Sequence, residues 1–304
     1  DMHAEALEEM LTTFSAEHTG KWMLLVYGMD AAALEGLATM AAIAANGTAM
    51  GAIADNALLM HAIANSETAM QRIANSQTAM QRVANNRGAM DAIGRSRIAR
   101  DAVQASPYYN SYIKENDMAI AKLVVGFANL ESAGYSGCAG MAADSTAMTA
   151  VAASSTAMTA VAASGVALKA IAQAYKNTAN MLQFLKAVNA SDTLIKRIYN
   201  TLTNATALFG TAQLGGQDSV ADANKWATTS AAPNAFLACA CGYYNSGGAS
   251  VDVTYNGTAI AQNKTGTRQP GSVTSTNVNA ITMAPSTFTE NGDGWLAVQK
   301  FTVK

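Results

Sequence analysis

The most regular feature of the chain is a spacing of ten between apolar anchors. Methionine stands at Met40, Met50, Met60, Met70, Met80 and Met90, and three residues after each comes Ile43, Ile53, Ile63, Ile73, Val83 or Ile93. Four residues before the Met, from Met50 on, lies Asn46, Asn56, Ser66, Ser76 or Asn86, and the polar register runs on through Ser96 and Ser106. The period returns as Met148/Val151, Met158/Val161 and Leu168/Ile171, behind Asp144, Ser154 and Ser164. Residues 145–154 and 155–164 are the same decapeptide, STAMTAVAAS, and Ser191 through Ile195 and Ile198 are a weaker echo. A fixed period of this kind defines the structural unit before any local propensity is weighed.

An unbroken α-helix turns about 100° per residue, so anchors ten apart fall about 80° from one another. One stripe could hold them only at about 3.3 residues per turn, tighter than the 3.5 of coiled coils. The polar residue that opens each decade is Asn, Ser or Asp, the types that best satisfy free amides at a helix start. Asn65, Asn75 and Asn85 precede three such caps, in the place where a left-handed helix terminus is commonly Asn or Gly. The pattern therefore predicts a helix that stops and restarts every decade: a two-turn helix of about seven residues, then a tight turn. A single long bundle helix is the competing reading. A β-solenoid is disfavoured because Ala and Met are poor strand formers and the repeat lacks alternation.

A two-turn helix is too short to stand alone in water. Its Met and Ile, at i and i+3, share a face that must be buried against a neighbour. The predicted repeat core is Met50, Ile53, Met60, Ile63, Met70, Ile73, Met80, Val83, Met148, Val151, Met158 and Val161. Ala before most of the Met residues permits close approach, and Met is an adaptable filler. The expected architecture is mainly α: a short-helix solenoid or fibre stalk in which each unit touches only nearby units.

Around the repeats, residues 1–39 read as an N-terminal helical segment, with Leu7, Met10 and Leu11 at helical spacing over 2–18, a short apolar stretch at 21–29 and Asp30 as a cap. The first array spans 40–106; its register is expected to fail near 95–107, where Arg100 takes a Met position and Pro107 bars further helix. Residues 107–135 form a junction with a helical stretch near 116–131, 136–173 the second array, 174–215 a helical segment and 216–233 a linker. Beyond Pro233 the composition turns to β-branched residues, Asn, Gly and Thr. Ser250 to Tyr255 alternates, Asn256-Gly257 signals a hairpin, and Asn291 to Gly294 is a second turn before a last strand from Trp295. Residues 234–304 are expected to be a small all-β domain, an antiparallel sandwich of about six or seven strands.

Composition narrows the chemistry. The net charge is −2 and charged residues are 13% of 304, which opposes binding to nucleic acid by counterion release. No apolar run approaches the length of a bilayer-spanning helix, so no membrane insertion is expected. Three cysteines and three scattered histidines (His3, His18, His61) provide neither a disulfide scaffold nor a local metal site. Cys239 and Cys241 read as buried strand residues, Asp293 as a turn residue, and Glu8 with Glu9 as adjacent carboxylates that point apart. No nucleophile elbow, phosphate loop or activated Cys is present, so no enzyme activity and no cofactor are expected. The arginines Arg72, Arg82, Arg87, Arg95, Arg97 and Arg100 read as a solvated helix face, and five Asn-x-Ser/Thr sequons as products of composition. Tyr243, Tyr244, Tyr255 and Trp295 are candidate surface-contact aromatics, for stacking on saccharide or protein, with strand-core positions as the alternative. The opening Asp1, without a signal-peptide pattern, leads to the expectation of processing or of a segment upstream.

Tandem STAMTAVA-type decapeptides joined to a Thr/Asn/Gly-rich β region ending in Trp-Leu-Ala-Val-Gln-Lys-Phe-Thr-Val-Lys resemble bacteriophage tail-fibre and related virion fibre proteins. The resemblance lies in the repeats and, more loosely, in residues 234–304, and carries over no catalytic or binding residue. It implies a homo-oligomeric fibre, a trimer above other states, on the virion surface. One end would meet other virion structural proteins, and the β tip a host-cell glycan or protein. The alternative is the subunit of an extracellular, cell-surface filament or adhesin that polymerises by β-strand addition.

Overall fold

The computed structural model describes Leu37 and residues 40–174, 178–218, 224–227, 235–243, 248–268, 272–292 and 294–304. The helix expected over 2–18, the apolar stretch 21–29 and the Asp30 cap lie outside the described residues. A mostly helical region, 40–204, is followed by a β region, 209–303. The chain divides into two compact units, Asp1–Gly137 and Cys138–Lys304.

In the first unit the helices are α1 (Met40–Ala45), α2 (Gly47–Asp55), α3 (Ala57–Ala64), α4 (Glu67–Ala74), α5 (Gln77–Ala84), α6 (Arg87–Arg95), α7 (Arg97–Ala105), α8 (Tyr109–Tyr112) and α9 (Asp117–Phe127). Helices α2 to α7 are eight or nine residues long, so the helix does break every decade. Each break is one extended residue at the polar position. Ser66 and Ser76, at φ −101° and −109°, accept from the amides of Ala69 and Ala79, meeting one of the unfilled donors of the new helix. The left-handed terminus expected at Asn65, Asn75 and Asn85 does not occur: their φ values are −93°, −90° and −94°. The extended cap alone redirects the chain, and the Asn65 and Asn85 amides turn back to donate to His61 O and Gln81 O.

The exposed ends of each decade surround a fully buried Met and Ile or Val: Met50, Ile53, Met60, Ile63, Met70, Ile73, Met80 and Val83 are all at zero exposure. Each such burial contributes roughly 1.5–3 kcal/mol relative to an exposed side chain. Besides its neighbours in sequence, each helix packs on the helix three places further on: α1 on α4 and α4 on α7, α2 on α5 and α5 on α8, α3 on α6 and α6 on α9. α7 keeps the register through 95–107, where the sequence reading expects it to fail. Ser96 caps it as Ser66 caps α4, and Ala99, Arg100 and Val103 are its buried residues.

The second unit opens with α10 (Cys138–Ala143), α11 (Ser145–Ala153), α12 (Ser155–Ala163), α13 (Gly165–Gln173), α14 (Thr178–Asn189) and α15 (Asp192–Asn204). α11 and α12, the identical decapeptides, turn by 104° at their break, and α13, α14 and α15 pack on α10, α11 and α12 in turn. Met148, Val151, Met158 and Val161 are buried, as in the first array.

Among the described residues nine strands follow: β1 (Phe209–Asp218), β2 (Asn224–Ala227), β3 (Ala235–Tyr243), β4 (Ala249–Tyr255), β5 (Thr258–Thr265), β6 (Thr267–Arg268), β7 (Ala280–Met283), β8 (Ser286–Gly292) and β9 (Gly294–Val303). β1 and β2 fall where the sequence suggested the end of a helical segment and a linker. One sheet runs β1-β9-β3, with β7 antiparallel and β6 parallel on the far side of β3; the other runs β2-β8-β4-β5, all antiparallel. Asn256 and Gly257, at φ 46° and 75°, make the expected turn between β4 and β5. Alternate residues of β4 and β8 are buried, whereas β3 is buried nearly throughout. A strand reads as continuously apolar when both its faces are covered. β4 packs against β3, β7 and β9, and α13, α14 and α15 pack against β9, β7 and β1, so helices and strands of this unit share one core.

Candidate functional site

One bond recurs along the seam between helix breaks three helices apart, except at Asn86, whose Nδ2 donates to Asp55 Oδ1 at 2.7 Å instead. Ser76 Oγ donates to Ala44 O at 2.6 Å, Ser106 Oγ to Ala74 O, and Asn116 Nδ2 to Ala84 O at 3.2 Å; Ser96 Oγ does the same to Ala64 O. The donor is the cap of one helix, and the acceptor is the last carbonyl but one of a decade 32 residues earlier. Helix termini leave such carbonyls without intrahelical partners, and the cap side chain of the next layer meets them. In the decade of α6 the carbonyl belongs to Gly94, and the residue 32 further on is Gly126, inside α9 and without a side chain. A Cβ at Gly126 would lie 2.3 Å from Gly94 O, so no donor side chain fits there. Arg100 supplies the bond instead, its Nη1 at 2.7 Å from Gly94 O and its guanidinium 5.7 Å from the centre of the Phe127 ring. This accounts for an arginine in a methionine position. Burial pushes its guanidinium below the ordinary range, against the opposing pull of Asp101.

The same layer holds a buried ion pair. Lys122, fully buried on α9, binds Asp91 Oδ1 of α6 and donates to Ser132 O at 3.0 Å. Arg87 Nη2 donates to Ala133 O at 2.9 Å and Arg95 Nε to Glu131 Oε1 at 2.9 Å, so α6 holds segment 131–133 at three points, Arg87, Asp91 and Arg95. The backbone amide of Ala133 and Arg95 hold the Glu131 carboxyl below its usual range. Of the arginines read as a solvated face, Arg72, Arg82, Arg87, Arg95 and Arg97 are exposed and Arg100 is not. Two open grooves run beside the seam: one of about 350 Å³ with Glu67, Gln71, Arg97 and Asp101 on its walls, and one of about 340 Å³ around Gly51, Asp55, Gln81 and Arg82.

Of the candidate contact aromatics, those on β9 and β4 are not at a surface. Trp295 and Tyr255 are 1% and 2% exposed. They belong to the core, because both lie on inward-facing positions of β9 and β4. Trp295 reaches over Gly242 of β3, where a Cβ would fall 2.3 Å from its Nε1. Burial raises the Tyr255 hydroxyl's pKa. Tyr243 is half-buried at the end of β3, and Tyr244 lies outside the described residues, as does Asp293. Cys239 and Cys241 are free and buried on β3, as strand cysteines should be; Cys241 Sγ donates to Lys264 O at 3.0 Å. Burial, reinforced by Glu290, pushes the Cys241 thiol up to about 12 and Cys239 upward as well. A thiol so far from ionising is a poor nucleophile.

Two polar clamps of this unit escape sequence reading. Asn189 of α14 pairs its amide with both backbone groups of Ile281, 92 residues on. Tyr199 of α15 bonds through its hydroxyl to Val273 O and Gln299 Oε1 and meets Phe301 edge-on at 5.8 Å. Nothing local marks Asn189 or Tyr199 as partners of strands so distant.

Among the described residues no three His, Cys, Asp or Glu side chains converge as metal ligands, and no single helix is long and apolar enough to cross a membrane. Comparison with models of known protein families gives no match, and comparison with curated proteins gives no significant sequence match.

Proposed function

We propose that this chain is a non-enzymatic structural fibre protein of a virus particle, a phage tail or head fibre, acting as a homo-oligomer. In this reading the helical decades form a short-helix solenoid that serves as the stalk. The two sheets form an antiparallel sandwich that attaches to a host-cell glycan or protein.

The observation that carries the reading is the cap-to-carbonyl bond that recurs at a separation of 32 residues. A contact that repeats at constant separation lets units be added or lost without inventing new contacts, which is the economy of one-dimensional repeat proteins. Near-identical decapeptides suit a part whose job is reach and rigidity. Attachment then rests on several weak contacts per particle, so that avidity replaces single-site affinity.

Immunogold labelling tests the reading. An antibody raised against this chain, applied to particles purified from a lysate of the source culture, should decorate fibres on the particles. Gold on filaments of the cell surface, with bare particles, would instead favour the extracellular filament.

A further inference from the structure

In the first unit Ala54 lacks the recurring bond. The carbonyls of Ala44, Ala64, Ala74 and Ala84 are each met by a cap side chain of the next turn, and that of Gly94 by Arg100. The cap that follows Ala54 at the same separation is Asn86, and its Nδ2 goes to Asp55 Oδ1 at 2.7 Å. No described residue donates to Ala54 O, although Ala54 is only 2% exposed. A buried acceptor without a donor is unfavourable, so this carbonyl calls for a donor from outside the chain.

The groove of about 340 Å³ between α2 and α5 opens at the same place, with Gly51, Ala54, Asp55, Gln81, Arg82 and Asn86 on its walls. Gly51 makes the room. Nothing lies within 4 Å of where its Cβ would stand, and the matching position of the later decades holds His61, Gln71, Gln81, Asp91 and Asp101.

The groove carries one charge of each sign, and the two are not paired with each other. Among the described residues the Asp55 carboxylate bonds only to Asn86, and Arg82 has neither a hydrogen bond nor an ion pair. The Arg82 side chain runs back along α2, with Nη2 at 3.4 Å from where a Gly47 Cβ would stand. There its guanidinium faces the positive end of the helix, a repulsion that a bound anion would relieve. At the other end of α2, Ala54 O and the Asp55 carboxylate are acceptors on consecutive residues. Gly47 and Asp55 are separated by about 12 Å along the helix. A charge-assisted bond of about 3 Å at each end leaves roughly 6 Å between the two charges of a ligand. That is about the span of two extended residues.

We propose that this groove is a binding site for a zwitterionic dipeptide. The ammonium end donates to Ala54 O and the Asp55 carboxylate, and the carboxylate end accepts from the Arg82 guanidinium. The Gln81 amide offers a donor and an acceptor to the peptide bond between them. Arg82 opposes a free metal cation and Asp55 opposes a phosphate, whereas a peptide with both ends free satisfies both walls. The inference does not depend on the fibre reading, since it concerns the first helical array alone.

Calorimetric titration of the full chain with L-alanyl-L-alanine should show binding at one site per chain. Alanine, which is too short, and N-acetyl-alanylalanine and alanylalanine amide, which each lack one charge, should bind about tenfold more weakly or worse. Asp55→Asn and Arg82→Gln should each weaken the dipeptide by a similar factor. Gly51→Gln, which gives this decade the side chain that later ones carry, should abolish binding and leave the circular dichroism spectrum unchanged. Arg97→Gln, in the groove between α4 and α7, should leave binding as it was. Absence of binding, equal binding of the amide, binding that survives Gly51→Gln, or its loss in Arg97→Gln would each overturn the proposal.

Discussion

The Ser96 hydroxyl lies between two helices: it donates to Ala64 O at 2.5 Å and accepts from the Ala99 amide at 3.3 Å. One oxygen thus starts α7 and fastens it to the end of α3. Ser96→Ala removes both bonds and leaves the Ala64 carbonyl buried without its donor. A cap is worth about 1 kcal/mol and an orphaned buried acceptor about 1–3 kcal/mol, so the loss should be about 2–3 kcal/mol by urea denaturation. Ser96→Thr, which keeps the hydroxyl, should cost far less.

Lys122 and Asp91 make a second test. Asp91→Ala leaves a fully buried ammonium without its counter-charge, and breaking such a pair from one side costs about 3–5 kcal/mol. Replacing both, with Lys122→Met and Asp91→Ala together, removes the charge as well as its partner. The double variant should therefore melt well above Asp91→Ala, as thermal unfolding would show.

The thiols set an alkaline limit. Cys241 ionises near 12 in the folded chain and Cys239 is raised too, whereas an unfolded thiol ionises near 8.5. Below the unfolded value both states hold the proton and the pair contributes no slope. Above it the unfolded chain sheds protons that the folded chain keeps, so stability falls as pH rises, by up to about 1.4 kcal/mol per pH unit for each thiol, until the folded value is reached. Denaturation midpoints should drop from about pH 9 upward. Cys239→Ala with Cys241→Ala should flatten that part of the profile.

Asn189 is the edge clamp of β7. Asn189→Leu keeps most of the volume but removes both bonds to Ile281, which should cost about 2–4 kcal/mol for two orphaned backbone groups. Hydrogen exchange provides the specific readout: the Ile281 amide should lose its protection while the amides of α2 to α7 keep theirs.

The sequence revealed the parts of this fold that repeat, because a repeated position reports its environment many times over. Met50, Met60, Met70 and Met80 face one kind of surroundings, and Ser66 and Ser76 cap one kind of turn. Single occurrences were harder to read. Arg100 looked like the end of the array, although it replaces a bond that Gly126 has no side chain to make. Asn75 and Asn85 looked like left-handed termini, and nothing in the sequence showed that one extended cap could turn the chain by itself. Trp295 and Tyr255 could have faced solvent or core, and only the packing of β9 and β4 decided it. The pairing of Asn189 with Ile281 spans 92 residues and leaves no local trace.

The stacking of decades can be measured directly between Asn65 and Arg95, both exposed and both near the ends of their helices, α3 and α6. With spin labels at these two sites, pulsed dipolar spectroscopy should give a short distance, under about 20 Å, as expected for labels on adjacent helices about 8–10 Å apart at their axes. A single continuous helix would separate the two positions by about 45 Å at 1.5 Å per residue, and that distance would contradict the account.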